Sequence, residues 1–346
     1  MTKYVLTFKP LKNFFFGNSK TFSEDYFAIS EYFPQPTQLL GAIRLFIAEQ
    51  HKLIKVFRSG KWSDNPEALK KLIGDAGAND FEINVNLGMI QNLSQMFLVN
   101  ESLSDAYFPT PFDIEISKNT NNIRKYTLTQ IDEEYFLKDY EVKNTSFQHL
   151  GDNSFWQDYT NNYELKKESI KSFDDIFKAH LQVGIELKNK RVVDKKFYSK
   201  TDYNLEKGFL FGALIELEEK IIEDGIIQIG AEASLFELKI VPLDNTKLKE
   251  HKIVSNLFTK PSIDKKLVAI SDVLANTSDF KTKNHISPFY KDFAMINSKR
   301  KKFDKTSQMR LIPAGSVFYN AQNLPQLQGA YKKMGFNKFI SVKGEN

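Results

Sequence analysis

"EYFPQPTQLLGAIR", residues 31–44, decides the reading of the fold, because here the chain commits to its first helix. Pro34 and Pro36 bracket Gln35. Proline fixes its own φ and biases the residue before it toward extended backbone, so the approach is stiff. Thr37 then reads as an N-cap. Leu39, Leu40, Ile43, Phe46 and Ile47 follow at helical spacing and make one apolar face. A helix start also leaves backbone N–H groups free and carries partial positive charge, so the same stretch suits an anion. Gln35, Thr37 and Gln38 would add neutral donors there, Gly41 would let another backbone come close, and Arg44 lies one to two turns further in. The plainer alternative is that Thr37 caps, Gly41 packs on a strand and Arg44 is solvated.

Working outward, "YVLTFK" (4–9) reads as a first strand and "NFFFGNSKTF" (13–22) as a loop of phenylalanines and polar residues. "DNPEALKKLIGDAG" (64–77) is a second, shorter helix with Pro66 in its first turn and Gly74 or Gly77 at its end. "FEINVNLGM" (81–89) alternates at period two, the pattern of a strand. Residues 117–172 turn polar and irregular, an insertion or interdomain region with a hairpin expected near "IRKYTLTQI". Short apolar or alternating runs resume at "HLQVGIEL", "GFLFGALIEL", "GIIQIG", "SLFELKIV", "KLVAISDVL", "QMRLIPAGSVFY" and "FNKFISV". A strand, a helix and then many strands suits split βαβ units in an α+β fold. The expectation is two ferredoxin-like domains, 1–165 with a polar insertion and 166–346.

The chain's 346 residues and 40.0 kDa are long for one core, which supports two domains. There is no cysteine, which removes disulfides, thiolate metal sites and cysteine nucleophiles. No apolar run approaches the roughly 18 residues of a membrane span, and the N-terminus lacks a signal-peptide pattern. A cytoplasmic location is expected. The net charge of +5 permits a polyanion partner without demanding one. Only six arginines occur, at 44, 58, 124, 191, 300 and 310, against 42 lysines. The surviving arginines are informative because only arginine makes forked contacts to phosphate.

Catalytic patterns are missing. There is no GxxxxGK[ST] loop, GxGxxG turn or GxSxG elbow. The histidines at 51, 149, 180, 251 and 285 show no metal-binding spacing, and acid pairs such as Glu24-Asp25 sit in polar, solvated contexts. No cofactor, metal or catalytic residue is expected. "KGFLFGAL" (207–214) partly matches an RNA-recognition strand, but Phe209 and Phe211 fit a buried strand better than a stacking platform.

Two further segments combine donors with turns. "SKRKKFDKTSQMRLIPAGSVFY" (298–319) runs from a basic cluster through Arg310 into a Pro-Ala-Gly-Ser turn, a place for backbone approach. "GAYKKMGFNKF" (329–339) is a glycine-punctuated basic stretch.

"FFFGNSKTF", "YFPQPTQLLGAIR", "VGIEL", "IGAEASLFEL" and "RLIPAGSVFY", in this order, resemble one family. It is the RAMP-superfamily subunit of type III-B (Cmr) CRISPR effector complexes that holds the 5′ handle of the guide RNA. The Phe-Pro-x-Pro-Thr-x-x-x-Gly-Ala-Ile-Arg and Pro-Ala-Gly-Ser-Val segments carry most of the likeness. The chain departs from the family at Gly230-Ala231-Glu232-Ala233-Ser234, where Gly-Gly-Glu-x-Arg is common, and in its first loop. The resemblance implies two ferredoxin-like domains facing each other across a cleft for the crRNA 5′ handle. It implies contact with a large Palm-domain subunit and a backbone nuclease subunit, target RNA met through the assembled complex, and a hairpin wedged into the guide–target duplex. It implies no catalytic activity of the chain's own. Carried onto this sequence, RNA contacts are expected from Phe16, Asn18, Lys20, Phe22, Gln35, Thr37, Gln38, Gly41, Arg44, Arg310, Ala314, Gly315, Ser316 and Lys338, with Phe16 and Phe22 as stackers. Three other readings are a CRISPR RNA-processing endoribonuclease using His51 or His180, the handle-binding subunit of another type III complex, and an unrelated RNA-binding module.

Overall fold

A computed structural model describes residues 1–17, 26–54, 65–74, 86–117, 123–126, 128–131, 134–138, 147–149, 154–157, 169–188, 191–230, 232, 234–259, 266–274, 285–287, 291–293, 296–297, 304–305, 309–319, 331 and 333–342. The chain begins with β1 (Thr2–Pro10), then β2 (Tyr26–Ile29), α1 (Pro36–Gln50) and α2 (Pro66–Ile73). Next come β3 (Ile90–Leu93), β4 (Phe97–Asn100), β5 (Ala106–Pro109), β6 (Ser154–Gln157) and β7 (Ile170–Ser172). A long hairpin, β8 (Phe177–Lys188) and β9 (Arg191–Leu205), precedes β10 (Phe209–Leu217), β11 (Gly225–Ile229) and β12 (Ser234–Pro242). After the short α3 (Lys252–Asn256) lie β13 (Lys266–Ala269), β14 (Val273–Leu274), β15 (Met309–Ile312), β16 (Val317–Tyr319) and β17 (Phe339–Ser341).

The main sheet runs β7-β6-β5-β4-β10-β1-β12-β11, with β3 also on β10, and every pairing is antiparallel. Its centre is β1, where Val5 faces Leu214 on one side and Val241 on the other. Both faces of this centre are buried. Tyr4, Leu6 and Phe8 pack with Phe211, Ala213 and Ile215 against Leu39, Leu40, Ile43 and Ile47 of α1. Val5 and Leu214 face the opposite way, against Leu248, Ile253, Val268, Val317 and Ile340. A strand covered on both faces reads as a continuous apolar run, which is why "GFLFGALIEL" shows no alternation. Phe211 is fully buried here, in the core position its sequence suggested.

Among the described residues, smaller sheets lie outside the main one. β9 pairs antiparallel with β8 and parallel with β2. In the C-terminal region β13 lies between β16 and β17, and β15 lies between β14 and Lys291–Phe293.

The mixed, strand-dominated architecture matches the α+β expectation. Several local expectations need correcting. The boundary expected at residues 165/166 falls between strands of one sheet, since β1 bonds β10 and β12. The polar middle of the chain is an excursion from that sheet which rejoins it through β6 and β7. Of the strand expected over 81–89, residues 81–85 lie outside the described residues, while 86–89 are not strand and lead through a turn at Gly88 and Met89 into β3. Gly88 makes that turn with φ +63°, where a Cβ would lie 2.5 Å from the Leu72 carbonyl oxygen at the end of α2. The hairpin expected over 123–131 is two strands with other partners: Ile123–Lys125 pairs with Ile114–Ser117, and Leu128–Ile131 with Glu134–Leu137. The helix over 64–77 is α2, with Asn65 capping through its side chain and Gly74 ending it at φ +79°.

Candidate nucleic-acid interface

The approach to α1 differs by two positions from its expected form. Gln35, extended at φ −62° and ψ 148°, is the N-cap, with Pro36 in the first turn. Thr37 therefore sits inside the helix, where its amide is one an α-helix leaves without an intrahelical acceptor. The Gln38 backbone N–H donates to the Gln35 carbonyl at 2.9 Å, so that amide is spent within the chain. The Gln38 side chain is a clamp: its Oε1 accepts from the Gln35 N–H at 3.2 Å and its Nε2 donates to the Gly17 carbonyl at 3.3 Å. Gly41 is exposed and, among the described residues, has no atom within 4 Å of the place a Cβ would occupy. Its smallness is not required by the chain's own packing. Arg44 is half-buried on the same helix.

The first loop is tied down up to Gly17 by a series of hydrogen bonds, including a reciprocal backbone pair between Phe14 and Tyr203. Asn13 Nδ2 donates to Asp202 Oδ1 at 3.0 Å, the Phe15 N–H to Ser234 Oγ at 3.0 Å, and the Phe16 N–H to Ser30 Oγ at 2.8 Å, while the Glu31 N–H donates to the Phe16 carbonyl at 2.9 Å. Gly230 makes this possible: at φ +90° a Cβ would lie 2.7 Å from the Phe15 carbonyl oxygen. Phe16 is therefore not a stacker. It is fully buried, stacked on Phe236 at 5.9 Å and tilted against Phe14 at 4.9 Å. The apolar gain of burying a phenylalanine outweighs exposing it to a base. Asn18, Lys20 and Phe22 lie outside the described residues.

The Pro-Ala-Gly-Ser turn also departs from its expected use. Its amides do not form an open anion nest. The Ala314 N–H donates to Asp272 Oδ1 at 3.0 Å, the Gly315 N–H to the Ala269 carbonyl at 2.7 Å, and the Ser316 N–H to the Pro313 carbonyl at 3.2 Å. All three residues are buried, and Gly315, at φ +95°, passes so close to Thr110 that a Cβ would lie 2.8 Å from its carbonyl oxygen. Lys338 is half-buried, with Nζ 5.7 Å from the centre of the Phe258 ring. Burial pushes its ammonium below lysine's ordinary pKa, partly opposed by Glu216. Arg310 is exposed on β15, opposite Asp292 in register.

The residue that gathers these turns is one the sequence did not single out. Asp272 is buried, and its carboxylate holds Lys291 Nζ at 3.1 and 3.3 Å as well as the Ala314 amide. Its backbone N–H donates to Gln95 Oε1 at 2.8 Å and its carbonyl accepts the Asn337 N–H at 3.1 Å. Burial alone would lower the Lys291 pKa; the charges of Asp272 and then Glu31 outweigh it and hold the ammonium above lysine's usual value. Glu31 belongs to the approach to α1. Glu31 thus acts through its charge on the lysine that Asp272 holds beside the turn at 313–316.

The histidines that could serve catalysis are engaged. His51 Nε2 lies 2.9 Å from the Ile221 carbonyl oxygen, and His180 Nδ1 lies 3.1 Å from Asp202 Oδ1. Among the described residues no cluster of three or more His, Asp or Glu could hold a metal ion, and no helix is long and apolar enough to cross a membrane.

Two solved structures share the architecture. Chains from a type III-B Cmr-beta complex bound to cognate target RNA and AMPPnP, and from one bound to cognate target RNA, match with TM-scores of 0.51 and 0.50 at 14% and 15% identity. In each case the match covers 98% of this chain and 96% of the other. At such identity the likeness shows the fold. No curated protein matches the chain. The family model described as CRISPR-associated protein (Cas_Cmr3) matches residues 6–257, from β1 past β12 to the end of α3, and so takes in the first loop, α1 and the central sheet. The chain therefore belongs to the Cas_Cmr3 family of CRISPR-associated proteins.

Proposed function

We propose that this chain is the non-catalytic subunit of a type III-B (Cmr) CRISPR surveillance complex that binds the 5′ handle of the crRNA. In that role it bridges the large Palm-domain subunit and the backbone nuclease subunit. The observation that carries the reading is the convergence at α1. The mouth of the first loop at Gly17, the Gln35–Gln38 clamp, Thr37, the open space at Gly41 and Arg44 follow one another along α1 from its N-cap to its middle. Single-stranded RNA is held by backbone amides, side-chain donors and close backbone approach, and this arrangement offers each. Arg310 supplies an exposed cation. The buried Ala314–Ser316 turn, half-buried Lys338 and buried Phe16 take structural roles in this reading.

In the same reading, β4-β10-β1-β12 with α1 is a ferredoxin-like unit whose second and third strands are separated by the long excursion through β8 and β9. A second such unit belongs to the region from β13 to β17. The wedge into the guide–target duplex is assigned to the β8–β9 hairpin.

The test is a tagged complex carrying Arg44→Glu together with Arg310→Glu. Its guide-RNA content should fall severalfold while its subunit composition and melting temperature hold. Unchanged RNA content in a complex that assembles would overturn the handle assignment. The paired His180 and Asp202 keep the processing reading testable: site-specific cleavage of unprocessed repeat RNA by the purified chain, lost in His180→Ala, would favour an endoribonuclease.

A further inference from the structure

One face of the β8–β9 hairpin carries a row of polar and aromatic side chains. Register sets His180 opposite Asp202, Gln182 opposite Lys200 and Gly184 opposite Tyr198. Side chains alternate along a strand, so these residues share one face, spaced roughly 6.7 Å apart along each strand. Buried Asp202 anchors the row. Its carboxylate accepts from Asn13 and from Gln182, both at 3.0 Å, and lies 3.1 Å from His180 Nδ1 and 3.9 Å from Lys200 Nζ. One carboxylate thus fixes an imidazole and an amide, while both side chains stay open to solvent: His180 is 56% exposed and Gln182 is exposed.

Tyr198 ends the row. Glycine inside a strand weakens it and marks a place where another group comes close. At Gly184 that group is the Tyr198 ring, because a Cβ there would overlap the outer end of the ring. The ring therefore lies across Gly184, yet Tyr198 is 47% exposed. Charge decides what such a row can hold. Lys178 pairs with Glu206, and Lys200 with Glu232, so each lysine of this face already has an acid. A ring beside an oriented amide and imidazole suits a base better than a phosphate: the ring takes the base by its face and the amide by its edge. The row also adjoins the first loop on its way to Gly17. Asn13 bonds Asp202, and Lys200 Nζ lies 4.9 Å from the centre of the Phe15 ring.

We propose that this face binds unpaired nucleotides of the crRNA, one base stacked on Tyr198 with its edge on Gln182 and the next nucleotide at His180. The inference rests on the proposed function for its RNA, and not on the contacts of α1. The test loads a complex assembled from full-length subunits with end-labelled crRNA and follows release into excess unlabelled crRNA. Tyr198→Ala should speed release about tenfold, the scale of one lost base–aromatic stack. Gly184→Ala should act in the same direction although the tyrosine is still present, because the added methyl group displaces the ring. Tyr198→Phe keeps the ring and should restore slow release. The melting temperature of the free chain should hold in all three variants.

Release in Tyr198→Ala equal to that of the wild type would overturn the proposal. Faster release that follows a falling melting temperature across the variants would also overturn it, leaving Tyr198 as a structural cover for Gly184. Loss of a protein subunit with crRNA release unchanged would overturn it in favour of a protein contact. Arg44→Glu with Arg310→Glu, run in parallel, reads the handle site. Faster release there but not in Tyr198→Ala would overturn this inference alone. Faster release in Tyr198→Ala but not there would overturn the handle site alone, and unchanged release in both would overturn both.

Discussion

Glycine separates structure from function most sharply at single positions. Gly41 sits mid-helix, exposed, with open space where a Cβ would go. Alanine there should stabilise the free chain by about 1 kcal/mol, because glycine in a helix interior is that much worse than alanine. If RNA or another chain passes over α1, the same change should reduce guide-RNA retention by the assembled complex. Chemical denaturation of the free chain and RNA quantification in the complex read the two effects separately. A gain in stability with no loss of RNA would leave Gly41 outside the interface. Gly315 is the opposite case. Its φ of +95° and the 2.8 Å approach to Thr110 leave no room for a side chain. Gly315→Ala should cost about 2 kcal/mol or more, read as a shift in denaturation midpoint. Lys291→Met tests the acid at the centre of the turns. It leaves the buried Asp272 carboxylate without its cation. The loss should be about 2 kcal/mol, less than for a fully buried pair because 36% of the lysine side chain meets solvent. Lys291→Arg should restore part of it.

At the scale of elements, legibility followed burial. The apolar stripe of α1 was readable because one side of that helix meets the sheet and the other does not, so period 3.6 survives in the sequence. The strand β10 was readable as a buried run. The strand β9, fifteen residues long, was not. Where its side chains are described, it carries exposed apolar residues beside β8 as well as buried ones such as Tyr203, so the apolar residues of "RVVDKKFYSKTDYNL" do not alternate cleanly. The Pro-Ala-Gly-Ser turn was readable as a bulge, but its partner Asp272 in "AISDVL" looks like any acid until the fold brings Lys291 and Ala314 to it. Phe16 was ambiguous for a like reason: a phenylalanine in a loop does not announce whether it packs or stacks. The sheet order carries a prediction of its own. A fragment of residues 1–165 keeps β1 but loses β10 and β12, both of its hydrogen-bonding neighbours. Such a fragment should be unfolded or aggregated, seen as a poorly dispersed NMR spectrum. A well-dispersed spectrum would mean that the first half folds without the strands that enclose β1.

At the scale of the whole molecule, the C-terminal region is tied to buried Asp113, just beyond β5, and braced within itself by buried Asp272. Tyr319 on β16 donates to Asp113 Oδ2 at 3.2 Å, and Lys266 on β13 pairs with the same carboxylate. Lys291 pairs with Asp272 beside β14. Burial, then the charge of Asp113 and its hydrogen bond, push the Tyr319 phenol well above tyrosine's ordinary pKa. The Lys291 ammonium is likewise held above its usual value by Asp272 and Glu31 against the pull of burial. Both groups hold their protons more tightly in the folded chain than in the unfolded one. Their contribution is therefore complete below about pH 10, where the unfolded groups begin to titrate, and is lost as pH rises toward the folded values. Urea midpoints measured from about pH 8 to about pH 11.5 should be level at first and then fall steeply. Tyr319→Phe should lower the midpoint at neutral pH by the worth of one hydrogen bond, about 1 kcal/mol, and should flatten the alkaline fall. Hydrogen exchange at the alkaline end should show β13 and β16 losing protection before β1 and β10, because these ties open while the central sheet retains its apolar cover on α1. An alkaline slope in Tyr319→Phe equal to that of the wild type would place the titrating weak point elsewhere in the molecule.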